Sequence, residues 1–174
     1  LGTRGILSGS HVRYGTTASA MSITSHYDAR VPDLDVHQAQ ASADTTAAFV
    51  EAGGQQIREV VAKSSYAPGE ATLDATASDE TRSVSARARA RLLEGTQDVD
   101  VQELAFRSGK VAWSTPPNSD AHVLYNGKQV SIERPALVNG DQRIEASGVL
   151  ALEGAAGPSA PAGINVKATN VDLA

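Results

Sequence analysis

Ser83-Val84-Ser85-Ala86-Arg87-Ala88-Arg89-Ala90-Arg91-Leu92 decides the fold class. Val84, Ala86, Ala88, Ala90 and Leu92 occupy alternate positions, with Ser83, Ser85, Arg87, Arg89 and Arg91 between them. Successive side chains of a strand point to opposite faces, so this stretch has one apolar face and one cationic face. Wound as a helix, the same residues would scatter arginine around the whole circumference. The stretch is read as a half-buried β-strand.

The same period runs outward in both directions. Ala71, Leu73, Ala75 and Ala77 alternate with Thr72, Asp74, Thr76 and Ser78, and Val130 and Ile132 alternate with Gln129, Ser131 and Glu133. Turn formers interrupt the pattern at intervals of about 9 to 15 residues, which is the mark of an all-β chain. Asn126-Gly127, between Val123/Tyr125 and Val130/Ile132, is the strongest hairpin signal, and Asn139-Gly140-Asp141 marks a second between Leu137 and Ile144. Between Asp98 and Phe106 the apolar phase passes from odd positions (Val99, Val101) to even ones (Leu104, Phe106), which requires a bulge or bend. Ala41 to Lys63 competes for helix, with Ile57, Val60 and Val61 at three- and four-residue spacing. Gly53-Gly54 splits it, and two strands, Thr45 to Glu51 and Gln56 to Tyr66, fit the neighbouring rhythm better. Residues 153–163, built of Ala, Gly, Pro, Ser and one Glu, are expected to form a flexible loop.

Composition narrows the function classes. The 174 residues carry 15 basic and 20 acidic side chains, a net charge of −5, which argues against a dedicated nucleic-acid binder. Aromatic residues make up only 4% and cysteine is absent, so a bulky aromatic core and a disulfide scaffold are both excluded. No stretch approaches the roughly 18 apolar residues of a membrane span. The start, Leu1-Gly2-Thr3-Arg4-Gly5, has neither Met nor a signal segment, and the chain is read as one piece, residues 1–174, of a longer protein.

Catalytic and metal-binding signatures are weak. His11, His26, His37 and His122 lie far apart, without the close Cys, Asp or Glu neighbours of metal sites, so no metal or cofactor is expected. Ser64-Ser65 and Ser114-Thr115 lack nucleophile-elbow glycines, and Gly53-Gly54 lacks the lysine of a phosphate loop. Asp79-Glu80 and Asp98/Asp100 are carboxylate pairs of the kind that turns and outer strand faces ordinarily carry. Arg87, Arg89 and Arg91 could meet anionic headgroups, but acids on adjacent strands would pair with them first. The expectation is a protein that is not an enzyme.

The apolar positions are unusually small: Ala71, Ala75, Ala77, Ala86, Ala88, Ala90 and Ala146. Closed barrels and sandwiches fill their interiors with large side chains. Here either two walls approach closely, or a sheet curls around a trough left for something else.

From Val31 onward the chain resembles the AsmA-like superfamily, and within it the TamB group. The resemblance rests on Arg30-Val31-Pro32-Asp33-Leu34-Asp35-Val36, on Ala48 to Gln55, on Val99-Asp100-Val101-Gln102-Glu103-Leu104 and on Val111-Ala112-Trp113. It continues through the Tyr125 to Ile132 hairpin, Pro135 to Ile144 with a strand ending at Gly148, and Thr169 to Ala174. It implies an elongated, antiparallel, curled sheet, the β-taco, with little or no helix. The implied setting is the periplasm of a Gram-negative bacterium, with the full-length protein anchored in the inner membrane. The implied role is transport of phospholipid toward the outer membrane and assistance to outer-membrane biogenesis, with a TamA-like barrel as partner. The LptA/OstA-like lipopolysaccharide bridge is similar in architecture, and a structural or adhesive β-solenoid without a conduit is the alternative of another class. On the lipid reading, acyl chains would lie along a groove lined or flanked by Leu73, Ala75, Val84, Ala86, Ala88, Ala90, Leu92, Val99, Val101, Leu104, Phe106, Val111, Trp113, Val123, Tyr125, Val130, Ile132, Ile144 and Leu150. Open strand edges would also let the chain self-associate.

Overall fold

The structure, a computed structural model, describes residues 1–15, 18–52, 54–119, 121–151 and 163–171. The expected loop over 153–163 lies outside the described residues except for Gly163, the first residue of a strand. The fold is all-β. Among the described residues thirteen strands form one antiparallel sheet: β1 (Gly2–Tyr14), β2 (Ala18–Arg30), β3 (Gln40–Ala52), β4 (Gln55–Ala67), β5 (Glu70–Ser78), β6 (Arg82–Leu93), β7 (Thr96–Ser108), β8 (Val111–Ser114), β9 (Ala121–Tyr125), β10 (Gln129–Glu133), β11 (Ala136–Asn139), β12 (Gln142–Ala151) and β13 (Gly163–Thr169). Two single 3-10 turns, Pro32–Leu34 and Val36–Gln38, join β2 to β3.

From β1 to β7 each strand pairs with its immediate chain neighbours. Beyond β7 the ladder splits. The C-terminal half of β7 pairs with β8 and its N-terminal half with β9. β12 takes β11 and β10 end to end on one edge, and β13 on the other. Between the described strands, residues 115–119 interrupt one split rung and Arg134-Pro135 the other.

The turns follow the residues available. In the β9–β10 loop Gly127 alone takes a positive φ, of 81°, while the Asn126 side-chain oxygen accepts the backbone N–H groups of Lys128 and Gln129 at 3.0 and 2.9 Å. Gly140, at φ 62°, turns β11 into β12. Gly148 does not end a strand as its motif suggested. It lies inside β12 opposite Ile164, and at φ 151° a Cβ there would stand 2.1 Å from the Gly163 carbonyl oxygen. Glycine at this position lets β13 come into register.

The phase change expected between Asp98 and Phe106 is a bulge at Gln102, because Arg87 pairs with Glu103 while Ala88 pairs with Val101. A second phase change crosses four strands. His11, Met21, Phe49 and Arg58 are skipped in register on β1 to β4, and His11 and Phe49 adopt φ of 52° and 49°. Beyond this crease the alternation inverts, so Val12 stands on the same face as Gly9, where a Cβ would meet the Val12 methyl at 2.8 Å. The helix-like spacing of Ile57 and Val60 is the sequence trace of this inversion. The segment forms two strands, as expected, each longer than the pattern alone indicated.

The core is thin. Ala20, Ala47, Ala121 and Ala136 are the buried apolar residues among those described. Cohesion therefore rests on the backbone ladder and on cross-strand pairs worth about 0.2–1 kcal/mol each, not on a sealed interior.

Candidate functional site

Residues directly opposite on neighbouring strands share a face, so the register can be followed across the whole sheet. One row runs Val60, Ala77, Val84, Phe106, Trp113. The next runs Ala62, Ala75, Ala86, Leu104, and a third runs Leu73, Ala88, Val101, Ala121. A fourth crosses eight strands: Tyr66, Ala71, Ala90, Val99, Val123, Ile132, Gly148, Ile164. Leu92 sits on the same side opposite Gln97, which leads to Tyr125, Val130 and Leu150. Val111 lies opposite Ser108, two places from Phe106, and Ile144 lies two places from Ala146 on β12, opposite Leu137. All the residues expected to line a groove thus stand on one face. The bulge at Gln102 makes this possible, because it brings Val99 and Val101 onto the side of Leu104 and Phe106.

This face is almost free of charge. Apart from Arg58 in the crease, Arg82 is the one charged residue that the register puts there among the described strand residues, and it stands at the turn end of β6. Its guanidinium is occupied, donating to Asp79 at 2.7 Å and to Gln55 at 3.4 Å. No second layer covers the face in the described chain. Leu73 and Val84 are each 42% exposed and Phe106 is 38% exposed, while Ala86, Ala88, Ala90 and Trp113 are half-buried. At the turn end a concave cleft of about 230 Å³ is lined by Ile57, Ala77, Val84 and Phe106, with Gln55 and Arg82 at its rim.

The opposite face carries the charges, and they alternate. One row runs His26, Asp44, Lys63, Asp74, Arg87, Glu103. Arg87 lies 3.1 Å from Asp74 and 3.4 Å from Glu103, Arg89 lies 3.4 Å from Glu70, and Arg91 lies 2.6 Å from Asp98. The three arginines are matched by acids of the adjacent strands. Pairs this exposed contribute about 0.2–1 kcal/mol each; their effect is to assign the polar face to water.

Three of the four acids in the carboxylate pairs, Asp79, Glu80 and Asp98, are likewise engaged. Asp79 closes the β5–β6 turn by accepting the backbone N–H groups of Thr81 and Arg82 at 2.9 and 2.8 Å. The Thr81 N–H, followed by the Arg82 side chain and N–H, lowers its pKa to about 2. Glu80 pairs with Arg58 at 3.1 Å. Asp98 accepts from Arg91 through one oxygen; the other is buried and without a hydrogen bond, with His122 Nδ1 3.5 Å away. Among the described residues no three His, Cys, Asp or Glu side chains gather as a metal site would require, and no helix is long and apolar enough to cross a membrane.

No protein-family model matches this chain, and neither a curated protein nor a solved structure matches it.

Two features were missed in the sequence. The crease across β1 to β4 left a signal, three-residue spacings at Gly9/Val12, Ala20/Ile23, Ala47/Val50 and Ile57/Val60. The second, a cleft on the polar face beside β13, left none.

Proposed function

We propose that this chain is a non-catalytic lipid-conducting segment that holds acyl chains along its uncharged sheet face. One observation carries the reading: a face spanning the whole sheet is kept nearly free of charge and is covered by no second layer of the described chain. An apolar surface this extensive costs free energy in water unless something covers it. Small side chains such as Ala86, Ala88 and Ala90 leave room for a flexible hydrocarbon, which gains up to about 0.8 kcal/mol for each methylene fully buried. Recognition would follow contact area, with few directional bonds.

In this reading the chain is an internal part of a TamB-like protein in the periplasm of a Gram-negative bacterium, passing phospholipid toward the outer membrane. The inner-membrane anchor and the contact with a TamA-like barrel belong to other parts of that protein.

Photo-crosslinking tests the proposal. A photoreactive residue at Ala86, Ala88 or Val130 is expected to capture phospholipid from cells, and native mass spectrometry of the gently purified chain is expected to show phospholipid adducts. Failure to capture lipid at all three positions, with a dry protein in the spectrometer, overturns it.

A further inference from the structure

The apolar cleft at the turn end of the uncharged face does not close on itself. β5 leaves the ladder opposite Glu59, so Gln55, Gln56 and Ile57 pair with β3 alone and run on past the turn at Asp79 to Arg82. Two clefts meet along this open stretch of β4 and share Gln56, Ile57, Asp79 and Arg82. One is the apolar cleft at Val84 and Phe106. The other, of about 690 Å³, is lined by the ion pairs Arg58–Glu80 and Arg82–Asp79, by Glu51 and by Phe49. Among the described residues lining it, two cations thus stand beside three carboxylates. Phe49 is held at φ 49°, a region that non-glycine residues enter at a cost and that clusters at binding sites, and it lines this cleft 61% exposed.

We propose, resting on the lipid reading, that this corner seats the headgroup of a zwitterionic phospholipid, with its phosphate on Arg82 and its ammonium among Phe49, Glu51 and Glu80. Along such a lipid the groups run hydrocarbon, phosphate, ammonium. The surfaces run in the same order: the apolar cleft, the Arg82 guanidinium that borders both clefts, then the acids and the ring. Arg82 spends Nε and Nη2 on Asp79 and makes a long 3.4 Å contact from Nη1 to Gln55, which leaves N–H groups of its five for a phosphate oxygen. An aromatic face attracts an ammonium within about 6 Å of its ring centre, and a carboxylate pairs with it. A headgroup with phosphate alone would add negative charge where acids already outnumber arginines, and the ammonium removes that mismatch.

The test is an amide NMR titration of the whole chain with dihexanoylphosphatidylcholine and dihexanoylphosphatidylglycerol, each kept below micelle formation. The two share their tails and differ in the ammonium. Both are expected to shift Val84 and Phe106 saturably. The zwitterionic lipid alone is expected to shift Phe49, Glu51 and Thr81 as well, and to bind about tenfold tighter, as one added charge-assisted contact does. Phe49→Leu keeps apolar bulk and removes the ring; it should weaken the zwitterionic lipid about three- to fivefold and leave the anionic one unchanged, with the remaining spectrum in place. Glu51→Gln should act in the same direction. Equal binding of the two lipids with shifts confined to the apolar cleft, tighter binding of the anionic lipid, or zwitterionic binding untouched by both substitutions overturns the headgroup site and leaves the lipid reading standing. Absence of saturable shifts from either lipid overturns both.

Discussion

Ala88→Asp places a carboxylate at the centre of the uncharged face, where Ala88 lies between Leu73 and Val101. Two responses are open to a bound acyl chain. It can stay in place and strip water from the carboxylate, at a cost of about 1–3 kcal/mol on the scale of mutational data for buried polar groups and more for a full charge. Alternatively, it can lift away over three or four methylenes. On a half-open face each is worth roughly half of the ~0.8 kcal/mol for complete burial, so the detour costs about 1.5 kcal/mol. The cheaper route sets the outcome, about a tenfold rise in Kd. Trp113, the chain's single tryptophan, stands on the same face beside Phe106 and reports occupancy directly. Titration with a short-chain phospholipid brominated along its tails should quench Trp113 saturably in the unsubstituted chain. The midpoint should move about tenfold for Ala88→Asp and not at all for Arg89→Gln, on the opposite face. The far-ultraviolet dichroism of Ala88→Asp should be unchanged, since strand preferences span only about 1 kcal/mol. Equal midpoints for Ala88→Asp and the unsubstituted chain, or lipid binding without any quenching of Trp113, would refute the reasoning.

Gly148→Ala should detach β13, because the added methyl group collides with the Gly163 carbonyl. Hydrogen exchange at Asn165 to Lys167 should then accelerate while exchange in β4 to β6 stays slow. Asp79 is held as a carboxylate in the folded hairpin below its ordinary value of 3.8, so its contribution is complete above that pH and is lost as pH falls toward 2. Amide shifts of Thr81 and Arg82 should titrate in that window, and Asp79→Asn should flatten the response. Deleting Gln102 should remove the bulge and leave Val99, Val101, Leu104 and Phe106 in unbroken alternation on the uncharged face. An unshifted Trp113 emission and a thermal midpoint no lower than that of the unsubstituted chain would show it; a red-shifted emission would overturn the assignment of Gln102 as the extra residue.

Much of the architecture was legible because alternation and turn chemistry are both local. Arg87, Arg89 and Arg91 announced a polar side, and their acidic partners Asp74, Glu103, Glu70 and Asp98 stand on the neighbouring strands as the pattern required. The bulge near Gln102 was visible as a change of parity. The crease at His11, Met21, Phe49 and Arg58 was harder to read: a three-residue apolar spacing is shared with helices, and only strand pairing tells the two apart. Gly148 was misread as a terminator because the neighbour that makes it necessary, the β13 backbone, comes from outside the local sequence. The cleft beside β13 depends on bringing residues 116–119, Arg134 and Lys167 together, which no local pattern encodes.

The serial pairing from β1 to β7 carries a consequence for how such a chain can change its length. Each hairpin there touches only the strands before and after it, so excising β3 and β4 together would leave β2 running antiparallel to β5 with polarity and sidedness intact. Inserting a pair would do the same. Growth in units of two therefore needs no redesign elsewhere, as in other quasi-one-dimensional proteins. An odd number of strands, by contrast, would leave the new neighbours running the same way and would break the hydrogen-bonding pattern at the seam.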